Sequence, residues 1–330
     1  MKIAVIGGVA STALLVKKLQ EHQLGEVHVF GFEPSNSSLV SGWANLAEIS
    51  KNACFDYTPF VRVHECQPAL NKLSPDWIFA VGLSQLIPAG MLAMAKRGCI
   101  GFHPTKLPDG RGRAPIAWMI LDKKDGASTF FLMGEGVDDG PILTQMPFAV
   151  EEDDDASSVE EKLLLAEAHA LDVLLPKMKV GQLNPRAQEE NDASYYGRRS
   201  HEDGWLDWAS SSEKLLRLVR ASTNPHPGAY TFHGAYKIRI LKADVVNSPI
   251  EQGVVGRILK CMTDGSFIVQ SGFGHLHVLN WDCTENWTPK VGHKLGFYVE
   301  LEIHLLQQRV EMLMRRLEAL EISHTKKTDY

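Results

Sequence analysis

One histidine in this chain stands where an apolar run stops. Gly98-Cys99-Ile100-Gly101-Phe102 leads into His103, and the chain then breaks into a loop rich in proline, glycine and arginine that runs to Pro115. An imidazole at the carboxyl edge of a parallel sheet lies where open α/β folds place their ligands. Standing alone, it would read as a ring hydrogen-bonded into its own loop. A second expected strand end carries Gly136-Val137-Asp138-Asp139-Gly140, where glycines let carboxylates approach closely. That loop reads either as a solvated Asx-type turn or as the partner of His103. A histidine and a carboxylate brought together transfer protons near neutral pH.

The elements that must position these groups follow from periodicity. Residues 2–7 and 27–32 read as strands with a helical pattern between them, and residues 77–82 and 98–103 as further strands joined by a helix over 89–96. Alternation of this kind predicts a parallel sheet with right-handed crossovers. Residues 127–133 and 142–150 form an expected strand pair. Ser157 and Glu160 make a capping box for a long amphipathic helix carrying Val159, Leu163, Ala166, Ala170 and Leu174. The turn from Gly7 to Thr12 is not G-x-G-x-x-G, and it reads as a glycine turn between strand and helix rather than a nucleotide cradle.

Beyond residue 200 come a helix over 212–221 and five short segments, 229–232, 236–241, 253–261, 266–270 and 276–281, in the pattern of a small β-barrel or sheet. His275 and His277 share one face of a strand, have no third ligand in register, and read as ordinary barrel residues. Val299, Ile303, Leu306, Val310, Leu313, Leu317 and Leu320 then repeat at spacings of 4 and 3, a heptad seam that predicts a partner helix and hence a homodimer.

Composition narrows the function classes. The 330 residues are 44% apolar, more than one core usually organises, with a formal charge of −6. A globally basic nucleic-acid binder is excluded. Five scattered cysteines without a C-x-x-C pair indicate neither a disulfide framework nor a structural zinc site, and no metal is expected. No apolar run is long enough to span a membrane, and the first residues lead straight into a strand rather than a secretory signal. A cytoplasmic location is expected.

The residues resemble the 10-formyltetrahydrofolate-dependent formyltransferases. The resemblance rests on Gly101-Phe102-His103, Thr105-Lys106-Leu107-Pro108, Arg111-Gly112, Pro115-Ile116, Val137-Asp138-Asp139-Gly140 and Ile142-Leu143. It continues in Tyr196-Gly197-Arg198-Arg199, in the stretch from Glu202 to Trp208, in Val219-Arg220-Ala221 and in Pro225-His226-Pro227-Gly228-Ala229-Tyr230. It covers residues 1–290 and is most like the members that formylate amino sugars on nucleotide diphosphates. The resemblance implies an α/β fold, with a Rossmann-like, mostly parallel catalytic domain over 1–180 and a linker over 181–200. A small OB-like β domain over 201–295 follows, and then the heptad helix and tail over 296–330.

The resemblance also implies chemistry. An amine attacks the formyl carbon of 10-formyltetrahydrofolate, charge develops on the carbonyl oxygen, and a proton leaves the nitrogen. His103 would stabilise that oxyanion while Asp138 orients His103 and helps carry the proton away. Leu83, Leu86, Ile87, Pro88, Met133, Gly134, Glu135 and Gly136 occupy positions that flank the folate, although Leu86 and Ile87 equally suit core packing. Thr105, Lys106, Arg111, Arg113, Arg198 and Arg199 are the expected substrate-side residues, the arginines as fork-shaped donors to a diphosphate or, equally, as solvated or internally paired groups.

One position departs from the family pattern: Gly101 stands where an asparagine is expected, and a backbone N–H, a water or Thr105 is expected to fill the gap. Loss of one oxyanion donor costs on the order of 3 kcal/mol in the transition state. The expected function is a sugar N-formyltransferase acting on a UDP- or dTDP-linked amino-deoxy sugar. A methionyl-tRNA formyltransferase is the main alternative, and residues 34–50, which hold no Lys or Arg, argue against that acidic polymer as partner. A formyltetrahydrofolate hydrolase and a non-catalytic folate binder are the remaining ones.

Overall fold

A computed structural model describes residues 1–37, 40–246 and 251–328. Asp329 and Tyr330, in the expected tail, lie outside the described residues. The chain divides into two units, Met1–Gly204 with Arg217–Gly228, and Trp205–Leu216 with Ala229–Tyr330.

The first unit runs β1 (Lys2–Gly7), α1 (Ala10–Glu21), β2 (Glu26–Phe32), α2 (Leu46–Ala53), β3 (Asp56–Phe60), α3 (Gln67–Leu73), β4 (Trp77–Val81), α4 (Ala89–Leu92), β5 (Gly98–Thr105), β6 (Arg111–Gly112), α5 (Pro115–Asp122), β7 (Gly126–Leu132), β8 (Ile142–Phe148), α6 (Ala156–Lys179) and β9 (Tyr195–Tyr196). Seven strands form one sheet in the order β3-β2-β1-β4-β5-β7-β8. The first five are parallel, and β7 and β8 join antiparallel. Strand order reverses between β1 and β4, the kind of switch point at whose carboxyl edge open α/β sheets bind ligands, and β5 is the next strand along.

Alternation along β1 fills both faces. Ile3 and Val5 pack with Leu15 and Leu19 of α1 and Leu171 and Leu174 of α6, while Ala4 and Ile6 pack with Phe30, Leu70 and Ile78 on the other side. Each fully buried side chain of this size contributes about 1.5–3 kcal/mol. The turn after β1 is closed by Thr12, whose hydroxyl accepts from the N–H groups of Gly8 (3.1 Å) and Val9 (3.3 Å) and donates to the Val81 carbonyl at 2.7 Å. The glycine-turn reading fits this geometry.

Several expectations are corrected. The pattern did not reveal β3: Asp56-Tyr57-Thr58-Pro59-Phe60 carries a proline, which the outermost strand of the sheet tolerates. Helix α4 ends at Leu92 instead of reaching residue 96. The cap of α6 is Asp155, whose carboxylate accepts from the N–H groups of Ser157 and Ser158, with Ser158 Oγ accepting in return from Asp155 N–H. The box is therefore Asp155 with Ser158 rather than Ser157 with Glu160.

The segment expected as a linker is fastened to the first unit. Arg186 exchanges two backbone hydrogen bonds with Ile142 (2.7 and 2.8 Å), and β9 pairs in parallel with β6. Its polar side chains bond to other polar groups, so it needs no apolar periodicity to be ordered.

Helix α7 (Ser212–Ser222) contains the division between the units. In the second unit β10 (Ala229–His233), β11 (Tyr236–Val245), β12 (Ile258–Cys261), β13 (Phe267–Gln270) and β14 (His275–Cys283) build an antiparallel sheet in the order β10-β11-β14-β13-β12. Ile238, Ile240, Phe267, Val269, Leu276 and Val278 are buried in it. Helix α8 (Val299–Thr328) ends the chain, and all seven of its heptad side chains are half exposed or more. Among the described residues no helix is long and apolar enough to cross a membrane.

Candidate active site

His103 sits near the end of β5 and is 5% exposed. Its two ring nitrogens face different acceptors: Nε2 lies 2.8 Å from the Gly110 carbonyl, and Nδ1 lies 3.5 Å from Asp138 Oδ2. A carbonyl only accepts, so Nε2 carries a proton. Burial pushes the imidazole below its ordinary value of 6.5, against the pull of the Asp138 charge and the Gly110 carbonyl.

Asp138 reaches His103 from the loop between β7 and β8 with φ at +52°, a left-handed backbone that costs a non-glycine residue about 1–2 kcal/mol. Neighbours hold it there. Gly112 N–H donates to Asp138 Oδ2 at 2.9 Å, and Gln188 Nε2 donates to the carbonyls of Asp138 (2.8 Å) and Gly140 (2.7 Å). Gly112 has φ +108°, and a Cβ there would lie 2.4 Å from the Tyr196 carbonyl oxygen, so glycine is needed for the approach of β6 to β9. Among the described residues, no donor reaches Asp138 Oδ1, which leaves one carboxylate oxygen available to a proton.

Arg111 takes the internally paired alternative and not the substrate-side one. It is fully buried, and its guanidinium donates to Gln188 Oε1 (3.1 and 3.2 Å), to Glu190 (3.0 and 3.1 Å) and to the Tyr195 hydroxyl at 2.7 Å. It cannot serve a diphosphate in this position. Instead it fixes Gln188, which fixes the Asp138 loop. Thr105 is likewise corrected as a substrate residue or a replacement for the missing amide: it is buried, and its hydroxyl donates to the Gly110 carbonyl at 3.3 Å.

The glycine at 101 has a packing cause. A Cβ there would lie 2.7 Å from Phe131 Cζ and 2.9 Å from Met133 Cγ, and Gly101 faces Phe131 directly across the β5–β7 pair. The volume an asparagine would need holds an aromatic ring and a thioether.

Of the other expected residues, Leu83, Ile87 and Met133 pack against one cluster that includes Ile6, Ile78 and Cys99. Leu86 is 86% exposed, and Pro88 caps α4 at the surface. Gln85, not singled out beforehand, fastens this loop: its amide accepts from Val63 N–H and donates to the Val61 carbonyl, both at 2.9 Å. Gly134, Glu135 and Gly136 lie exposed beside Met133. Lys106, Arg113 and Arg198 are exposed, whereas Arg199 is half buried with its guanidinium 5.3 Å from the Trp118 ring centre. No local pattern marks Gln188 or Gly110 in the sequence, because each acts through a contact set by the fold.

A His/Asp pair near the end of a parallel strand is an arrangement able to move a proton, as enzymes of group transfer require. Residues 1–174 match the family model "Formyl transferase" and residues 198–282 match "Formyl transferase, C-terminal domain". The first match covers more than half of the chain, and the chain belongs to the formyl transferase family. The methionyl-tRNA formyltransferase of Caldanaerobacter subterraneus subsp. tengcongensis is 35% identical over 215 residues, 64% of this chain and 67% of that enzyme.

Two solved structures share the fold. WlaRD, a sugar 3N-formyl transferase crystallised in the presence of dTDP and 5-N-formyl-THF, superposes with a TM-score of 0.65 at 14% identity over 87% of this chain and 99% of its own. The N-formyltransferase of Helicobacter canadensis, in complex with folinic acid and dTDP-3-aminofucose, does so at 0.64 and 14% identity over 86% and 100%.

Replacing Gly101 with Asn forces Phe131 and Met133 to move, so Gly101→Asn should lower unfolding free energy by about 1–3 kcal/mol in urea titration. Arg111→Met leaves Gln188 and Tyr195 without their donor. It should destabilise by about 1–3 kcal/mol and lower kcat as the Asp138 loop loosens, which denaturation and steady-state kinetics would read together.

Proposed function

We propose that the enzyme moves a formyl group from 10-formyltetrahydrofolate to the amine of a UDP- or dTDP-linked amino-deoxy sugar, in the cytoplasm, for assembly of O-antigen or another surface glycan. The observation that carries the transfer chemistry is the approach of His103 Nδ1 to Asp138 Oδ2 at the sheet edge, 3.5 Å. The folate brings an activated formyl carbon. Leu83, Ile87 and Met133 suit the flat apolar part of its ring system, and the exposed backbone of residues 134–136 suits its amide-like edge.

Asp138 Oδ1, free of other donors, takes the proton of the attacking amine. Its Oδ2 faces His103 Nδ1 at 3.5 Å, so the carboxylate that takes the proton stands against the imidazole. The developing oxyanion competes with the Gly110 carbonyl for His103 Nε2–H and, being charged, is the stronger acceptor. With residue 101 occupied by no side chain and Thr105 engaged, His103 is the nearest side-chain donor in this arrangement. A nucleotide-linked sugar fits the acidic formal charge of −6 and the Lys- and Arg-free stretch over residues 34–50. Identity to methionyl-tRNA formyltransferases, 32–35%, favours the second reading, with initiator tRNA as acceptor.

Heptad positions on α8 put Ile303 and Val310 at a and Leu306, Leu313 and Leu320 at d, with Leu317 at the third a. β-Branched residues at a with leucine at d favour two parallel strands, so a second copy of this chain covers the seam.

Purified enzyme with the folate donor should formylate one of a panel of UDP- and dTDP-linked amino sugars. Formylation of methionyl-tRNA and of no sugar establishes the second reading instead. His103→Asn should abolish turnover, and Asp138→Asn should lower kcat on the order of 10²–10⁴-fold. Asp138 raises the imidazole pKa, so the His103 ring should titrate at lower pH in Asp138→Asn than in the wild type, as NMR of the imidazole would read. Light scattering should give twice 36.6 kDa for the native chain and the single value for Leu306→Asp/Leu313→Asp.

A further inference from the structure

The first unit holds a cavity of about 190 Å³, lined by Ala114, Ala117, Arg199, His201, Ser222 and His226 among others. Three features of this cavity belong together. The Arg199 guanidinium lies over the Trp118 ring, itself stacked on Tyr196 with centroids 5.7 Å apart, and its Nη2 donates to the Asp203 carbonyl at 2.9 Å. No carboxylate oxygen is within ion-pair distance of Arg199 among the described residues. The stack fixes the plane of the guanidinium and leaves other N–H groups to a ligand.

His226 is the second feature. Its Nδ1 lies 3.3 Å from Ser41 Oγ, while its Nε2 is buried without a hydrogen-bond partner among the described residues. A buried polar atom left unpaired is destabilising, so a ligand that pairs it gains affinity. The third feature is the start of α5. Ala114 at its N-cap and Ala117 in its first turn line the cavity, and no side chain caps that end. An uncapped helix N-terminus directs backbone N–H groups and the positive end of the dipole at whatever lies before it.

Two cationic or cation-forming side chains and an open helix start outweigh the Asp203 charge that acts on Arg199 and favour negative charge between them. We propose that Arg199, His226 and the N-terminus of α5 form an anion subsite that takes the diphosphate of the nucleotide-linked acceptor. The assignment rests on the acceptor reading above and names the residues that recognise it. The volume suits phosphate groups rather than a whole nucleotide, since sites enclosing drug-sized ligands run to about 300–1,000 Å³. Ala114 follows Gly112, the residue that holds Asp138, by two positions, at most about 7 Å of chain. A phosphate here anchors a ligand whose amine reaches the catalytic pair.

Binding is then linked to protons. Burial and the Arg199 charge both hold His226 below its ordinary value of 6.5, and Asp203 acts on Arg199. Arg199 and His201 line the cavity with His226. Ser41 faces its other nitrogen, and Glu160 of α6 lies next to Gly42, beside Ser41. A bound anion raises the pKa of His226, so binding takes up a proton and tightens as pH falls.

Calorimetric titration of UDP-glucose, which carries the diphosphate but no amine, tests the subsite without turnover. The wild type should bind on the order of tenfold more tightly at about pH 6 than at about pH 8. His226→Asn should lose that pH dependence, and Arg199→Gln should bind on the order of tenfold more weakly, with both variants folded by circular dichroism. Unchanged affinity and pH dependence in His226→Asn overturns the proposal. So does wild-type binding of a 5′-phosphorylated oligoribonucleotide without binding of UDP-glucose. Folinic acid titrated in parallel separates the two levels: its binding without UDP-glucose binding sinks the subsite and leaves the donor site standing, and the reverse result sinks the donor site alone.

Discussion

Asp138 keeps its place only because the chain around it holds a backbone conformation that an aspartate does not favour. The carboxylate is aimed at His103 by the Gly112 N–H, and the main chain on either side of Asp139 is gripped by one amide, that of Gln188. Gln188 is in turn oriented by the buried guanidinium of Arg111. A chain of hydrogen bonds thus runs from a segment far along the sequence to the Asp138 loop. Each link is partly buried, where a missing partner costs more than a present one contributes. The geometry of the His103/Asp138 pair is a property of this assembly rather than of either residue.

Much of this was legible in the sequence where burial imposes a period. Strands β1, β2, β4 and β5 are apolar runs covered on both faces, and α6 shows its stripe, so the parallel sheet and the position of His103 at its edge follow directly. The loop bearing Asp138 was legible from its glycines. What escaped the pattern lies where polar contacts replace apolar burial. Strand β3 holds a proline at the sheet edge, and residues 181–204 are ordered by hydrogen bonds that leave no periodic trace. The roles of Arg111 and Thr105 escaped for a related reason, since residue type alone does not tell a donor facing a ligand from one facing a carbonyl. Gly101 showed as a departure from the family pattern, but its cause, Phe131 across the strand pair, is a tertiary contact.

The two acceptors weighed above, initiator tRNA and a nucleotide-linked sugar, differ greatly in size. The physics of the two acceptors differs. A polyanion is gathered by a broad basic surface through counterion release, while a single diphosphate needs a few donors held in fixed positions.

Thr12 deserves a last word for what it denies. An open α/β sheet offers bare amides at the turn after its first strand, a natural berth for phosphate. Here one threonine hydroxyl occupies those amides and tethers them to the neighbouring strand through the Val81 carbonyl. Those amides are thereby already satisfied within the chain, and the first turn of the sheet is closed by its own hydroxyl.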